Sequence, residues 1–180
     1  MQLQQTESKE LYKAMKELYL EAFPKYERKP FSLMQKTQAK GLVDMWSIMD
    51  EDVFVGMAVT MKDKDLVLLD YFAIKPEFRG KGYGSKVLRM LCEQYEGKRF
   101  FLEIESTKVD SDNKEQRLNR KAFYLRNNLK EVGLEANVFG TEMELLSLDA
   151  ELNFEEYRGM YEHVYGTAKA LMIKFIREVK

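Results

Sequence analysis

The sequence has 180 residues, 45% apolar and 33% charged, a soluble balance on a length that favours one domain with a sizeable core. A formal net charge of −1 gives no case for a nucleic-acid partner, and a single cysteine can form no internal disulfide. The polar opening "MQLQQTESKE" lacks the layout of a signal peptide, and no apolar run approaches the roughly 20 residues that cross a bilayer, so a cytoplasmic protein with no membrane partner is expected.

Leu11, Ala14, Met15, Leu18, Tyr19, Ala22 and Phe23 recur at helical spacing, and Pro24 stops that helix. A short helix is expected over Phe31 to Ala39, ended by Gly41. "LVDMWSIMD" and "DVFVGMAVT" read as strands separated by the turn-like Asp50, Glu51 and Asp52. "LVLLDYFAI", residues 66 to 74, is apolar nearly throughout, the pattern of a strand buried on both faces. Val87, Leu88, Met90, Leu91 and Tyr95 mark a helix closed by Gly97, and "RFFLEIE", residues 99 to 105, is the next strand. Strand, helix and strand form a β-α-β unit with a right-handed crossover. After the polar loop "STKVDSDNKEQ", a helix carries the stripe Leu118, Ala122, Leu125 and Leu129. "TEMELLSL" is a late strand, and residues 153 to 179 read as a C-terminal helical segment that Gly166 breaks in two. The expected class is α/β (α+β): residues 1–180 as one domain, with a central mixed sheet flanked by helices.

Between strand 66–74 and its helix lies "KPEFRGKGYGS". A P-loop needs Gly-Lys followed by Ser or Thr, but Gly82 follows Lys81; the dinucleotide fingerprint fails at its last glycine. The context is still that of a phosphate site: strand, tight glycine turn, helix N-terminus. Successive backbone N–H groups there form an anion nest that the helix dipole assists. Arg79, Lys81 and Lys86 add positive charge.

Arg79-Gly80-Lys81-Gly82-Tyr83-Gly84 resembles the R-x-x-G-x-G/A signature of the GCN5-related N-acetyltransferases, and "FAIKPEF" resembles the strand end before it. "FLEIE" is similar to that family's L-E-V strand, and "RKAFYLRNNL" to its helix ending Y-x-x-x-G-F. The resemblance covers residues 10 to 148 in element order and is sharp over 66 to 129. It implies a mostly antiparallel sheet with one splayed parallel pair, and acetyl-CoA as co-substrate. Arg79 to Ser85 would then take the pyrophosphate (Arg79, Gly80, Lys81, Gly82, Tyr83, Gly84 and Ser85), and the main chain of Phe72, Ala73 and Ile74 the pantetheine arm. Asn128-Leu129 replaces the family's Gly-Phe; asparagine is the next best residue for a left-handed helix cap.

Acetyl transfer from a thioester needs a base for the amine and an acid for the leaving thiolate. Glu103 and Glu105 alternate onto the same face of strand 99–105, and Glu103 matches the glutamate of the L-E-V strand. Asp70, in the apolar strand 66–74, would have a raised pKa unless a cation pairs with it. Glu103, Glu105, Asp70 and solvent all remain open as the base. Tyr124 points about 130° from the centre of the Leu118–Leu129 stripe, with Phe123 as far on the other flank. The resemblance favours Tyr124 as the acid.

Cys92 reads as a structural thiol and His163 as a packing or surface residue, while the methionines read as core filler. The C-terminal segment is expected to pack on the sheet, to line the acceptor pocket, or to form a homodimer. The sequence therefore predicts an acetyl-CoA-dependent N-acetyltransferase acting without a metal on a primary amine of a small molecule or a peptide. The alternative is a non-catalytic acyl-CoA-binding module; a nucleotide-binding enzyme is disfavoured by the failed phosphate motifs.

Overall fold

The computed structural model describes residues 1–148 and 151–178. The chain divides into two compact units, Met1–Met61 with Leu69–Glu96, and Lys62–Leu68 with the chain from Gly97 on.

In the first unit, β1 (Gln2–Gln5) pairs antiparallel with β2 (Val43–Asp50), which pairs in turn with β3 (Val53–Asp63). Helix α1 (Lys9–Ala22) starts at Ser8, whose side chain accepts from the Leu11 amide, and buries Met15, Leu18 and Tyr19. Helix α2 (Phe31–Gln38) packs on β2. Strand β4 (Leu66–Ile74) runs to a 3-10 turn at Pro76–Phe78, and α3 (Tyr83–Gln94) follows with Val87, Leu88 and Leu91 buried. Met15, Met34, Met45, Met57 and Met61 are all fully buried, as core filler should be. Gly56 on β3 is there for space: a Cβ at that position would lie 2.6 Å from the Ala73 carbonyl oxygen and 2.9 Å from Ile74 Cδ1.

In the second unit, β5 (Arg99–Glu105) begins with the Arg99 amide on the Asp65 carbonyl, 2.8 Å away. Helix α4 (Lys114–Arg126) leads to β6 (Lys130–Val138) and β7 (Thr141–Ser147). Helix α5 (Phe154–Tyr165) opens on a capping box between Asn153 and Glu156. A short α6 (Thr167–Ala170) and β8 (Ile173–Glu178) complete the unit. All eight strands belong to one mixed sheet in the order β1-β2-β3-β4-β5-β7-β6-β8. No helix among the described residues is long and apolar enough to cross a membrane.

Strands 66–74 and 99–105 stand as expected from sequence, and four features differ. The polar opening forms β1, because an edge strand needs backbone pairing more than apolar side chains. Strand β6 was not expected, since "KEVGLEANV" carries charges and Gly133; its register breaks between Glu131 and Glu135, and its carboxylates are answered by cations. The helical segment predicted for 153–179 breaks at Gly166, at φ 87°, as read, but resumes only for the short α6 before β8, whose β-branched and aromatic residues pair with β6; residue 179 lies outside the described residues. The stripe read on α4 is only partly buried: Leu118 is 49% and Leu125 41% exposed, while Leu129, past the helix end, and Tyr124 are buried. That helix docks through Arg117, Lys121 and Tyr124 because buried carboxylates, not an apolar groove, receive it.

Candidate active site

The glycine turn opens α3 as the sequence anticipates. Gly80 and Gly82 hold φ of 73° and 80°, a left-handed backbone that L side chains resist. A Cβ at either would meet nothing within 4 Å, so the turn faces open space. Gly84 is already the second residue of the helix, and its value is not in a left-handed φ. The first intrahelical bond runs from the Lys86 amide to the Gly82 carbonyl, 3.1 Å, leaving the Tyr83, Gly84 and Ser85 amides without helical acceptors. No side chain caps them and no acidic residue sits in the first turn. This is a cradle suited to a bound anion.

The side chains around the turn mostly build it. Arg79 Nε donates to the Ile74 carbonyl at 2.8 Å, tying the turn to the end of β4, and Lys81 Nζ donates to the Glu77 carbonyl at 2.9 Å. The Tyr83 hydroxyl donates to Asp50 Oδ2 at 2.5 Å. That bond and the N-terminal ammonium hold the Asp50 carboxyl below its ordinary range. Ala73 and Ile74 are buried, Phe72 is half-buried, and the Lys75 amide still pairs with the Val55 carbonyl at 2.9 Å.

The three candidate carboxylates have different partners. Asp70 takes the Lys29 ammonium on both oxygens, at 2.6 and 2.7 Å, so the cation on which its sequence reading was conditional is present. Lys29 comes from the segment between α1 and α2, which the Tyr19 and Tyr71 hydroxyls bind through the Lys29 and Glu27 carbonyls. Glu105 is 2% exposed; Arg117 reaches its Oε1 at 2.8 Å, and Asn113 and Arg120 reach its Oε2 at 3.3 and 3.5 Å. Glu103 is half-buried, and its Oε1 accepts the hydroxyls of Tyr157 and Tyr161, each at 2.7 Å. Glu103 and Glu105, grouped by alternation, are thus divided between α5 and α4.

Lys29, Arg117, Tyr157 and Tyr161 were not legible as site residues. The available signal was two tyrosines one helical turn apart, whose hydroxyls need partners once buried.

Tyr124 is buried, and burial pushes its pKa up to about 12 against the opposing pull of Arg120. Its hydroxyl is protonated at neutral pH and has no hydrogen-bond partner among the described residues. Helix α4 ends as the asparagine predicts: Asn128 holds φ 69°, and the Leu129 amide returns to the Tyr124 carbonyl at 3.2 Å. Burial pushes the Cys92 thiol up to about 11, which leaves it inert at neutral pH. His163 is an exposed residue 3.4 Å from Asp63.

The sequence pattern of the acetyltransferase (GNAT) family matches residues 10–124. No curated protein sequence matches the chain. Among solved structures, a GNAT-family acetyltransferase from Bacteroides thetaiotaomicron is similar at 25% identity and a TM-score of 0.73, over 93% of this chain and 99% of that one. An aminoglycoside 6'-N-acetyltransferase complexed with coenzyme A shares the fold at 13% identity and a TM-score of 0.65, over 85% of this chain and all (100%) of that one. The ribosomal-protein-S18-alanine N-acetyltransferase from Escherichia coli does so at 16% and 0.62, over 86% and 96%. With more than half of its length inside the family's pattern, and with the glycine turn in place, the chain belongs to the GNAT family of acetyl-CoA-dependent N-acetyltransferases.

Proposed function

We propose that this protein transfers the acetyl group of acetyl-CoA directly to a primary amine of a small molecule or a peptide. The observation that carries the reading is the uncapped start of α3, with Gly80 and Gly82 turned into left-handed backbone beside open space. The amides from Arg79 to Ser85 bind the pyrophosphate, and the main chain of Phe72, Ala73 and Ile74 pairs with the pantetheine arm. Tyr124 gives its proton to the departing thiolate as the C–S bond breaks and the C–N bond forms. A thiol pKa of about 8.5 makes that departure easy, so deprotonation of the amine is the harder requirement.

Among the carboxylates, Glu103 suits the role of base. Asp70 and Glu105 are paired with cations, whereas Glu103 accepts two neutral tyrosine hydroxyls, and hydrogen bonds of that kind favour its ionised form. Glu103 takes the ammonium proton of the acceptor, directly or through one water.

The test is release of free CoA from acetyl-CoA against a panel of aminoglycosides, polyamines and peptides with free N-termini, alongside calorimetric titration with acetyl-CoA, CoA and ATP. CoA release with at least one amine is expected. Preference for ATP, or no heat with CoA, overturns the reading; CoA binding without release on any amine leaves the acyl-CoA-binding module.

A further inference from the structure

We infer that Tyr157 and Tyr161 of α5 are positioning residues for Glu103, an assignment that rests on the acetyl transfer proposed above. Both lie in a part of the chain beyond the family's matched residues 10–124. They sit one helical turn apart, fully buried, with their rings edge to face at a centroid separation of 5.5 Å. The Tyr157 ring also packs edge-on to Phe101, on the same strand as Glu103. A buried tyrosine hydroxyl requires a hydrogen-bond partner, and both hydroxyls find the same atom, Glu103 Oε1.

Two donors on one oxygen fix the carboxylate plane and therefore the direction of Oε2. They also favour the anion, because hydrogen bonds to a charged form stabilise it. The residue opposite Glu103 on β7 is the apolar Leu145, and Glu105, two residues along, is answered by Arg117 and Arg120. Glu103 is thereby aimed, and its ionised form favoured, by two neutral donors.

The helix carrying the pair is itself fixed. Its capping box closes the N-terminus, and Glu156 within that box accepts from Arg99 at 2.8 Å, at the start of β5. The tyrosines and Glu103 are thus referenced to one rigid strand-and-helix pair.

The experiment is a titration of the intact protein carrying glutamate labelled with 13C at the carboxyl, with Glu103 assigned by Glu103→Gln. Tyr157→Phe and Tyr161→Phe keep the rings and remove only the hydroxyls. Each is expected to raise the Glu103 pKa by about one unit, the scale of one hydrogen bond to a charged group. The acidic limb of kcat/KM against pH should move up with it, and in a Glu103→Gln background neither substitution should move that limb further. A Glu103 titration unchanged in both variants and in the double variant overturns the inference. A shifted titration with an unmoved kinetic limb overturns the catalytic half of it. Full activity of Glu103→Gln would show that the base assignment itself is what failed, while thermal melts separate these outcomes from loss of fold.

Discussion

Gly82 shows how much one position can carry. At φ 80° an L residue pays about 1–2 kcal/mol, yet its Cβ would point into open space. Gly82→Ala should therefore lower the melting temperature by only a few degrees while weakening acetyl-CoA binding at least about tenfold, because the methyl group would stand where the proposed pyrophosphate site receives its oxygens. Calorimetric titration beside a thermal melt separates the two effects. Tyr124 makes the opposite prediction, since its hydroxyl has no hydrogen-bond partner among the described residues. Tyr124→Phe should leave stability and acetyl-CoA affinity unchanged and reduce turnover by about 10²-fold, the low end for a general acid, in pre-steady-state measurements limited by chemistry. Glu105 separates structure from catalysis. Replacing it with Gln leaves Arg117, 12% exposed, opposite an uncharged amide and should cost on the order of 3 kcal/mol in chemical denaturation. A rate loss in that variant that persists after correction for the folded fraction would place Glu105 in the chemistry.

At the scale of elements, strand β3 approaches β4 closely enough that only glycine fits at position 56. Gly56→Ala must push the Ala73 carbonyl or the Ile74 side chain aside, and overpacking of this kind typically costs about 1–3 kcal/mol. An unchanged denaturation midpoint would show that the strands give way freely. The register break in β6 has a different consequence. It lies beside Glu135 and Glu144, both nearly buried, and these bind Lys108 with Arg177 and Lys121 with Thr107 respectively. The loop after β5, helix α4 and strand β8 are thereby tied to the β6–β7 hairpin by charge. That is why α4 can leave Leu118 and Leu125 in solvent.

Across the whole molecule, the same ion pairs set the response to acid. Burial alone would raise the Glu135 and Glu144 pKa values, but their cationic partners, with the Thr107 donors at Glu144, outweigh it and both are lowered. A carboxyl whose folded pKa is depressed stabilises the protein fully above its unfolded pKa, about 4.3 for glutamate. That contribution is lost as the pH falls through the lower folded values. Stability should therefore be flat with respect to these groups from neutral pH to about 5 and fall below about 4; Glu135→Gln should flatten the acid limb of a pH series of urea midpoints. The family's pattern ends at residue 124, but buried packing continues beyond it. Tyr157, Met160 and Tyr161 are fully buried, so a chain cut after Leu148 should expose that apolar surface and lose cooperative unfolding.

Local physics made part of this protein readable from its residues. Strand 66–74 is a nearly continuous apolar run, strand 99–105 carries Phe100, Phe101, Leu102 and Ile104, and Gly80 and Gly82 mark left-handed turn positions that few other residues can fill. Asn128 could be read as a left-handed cap for the same reason. Backbone preference acts within a few residues, so these features survive without knowledge of the fold. Partnership does not. The Lys29–Asp70, Arg117–Glu105 and Tyr157–Tyr161–Glu103 contacts join residues 12 to 58 positions apart in sequence. Each carboxylate looks alike in sequence, and its chemistry depends on whether a cation or a neutral hydroxyl meets it. Strands β6 and β8 were hidden for a related reason: their charged residues are satisfied only by ion pairs formed after the sheet is assembled. The amino-acid order determined the glycine turn and the β-α-β unit around it; tertiary packing alone decided which groups meet each carboxylate, because charge pairing acts across space and not along the chain.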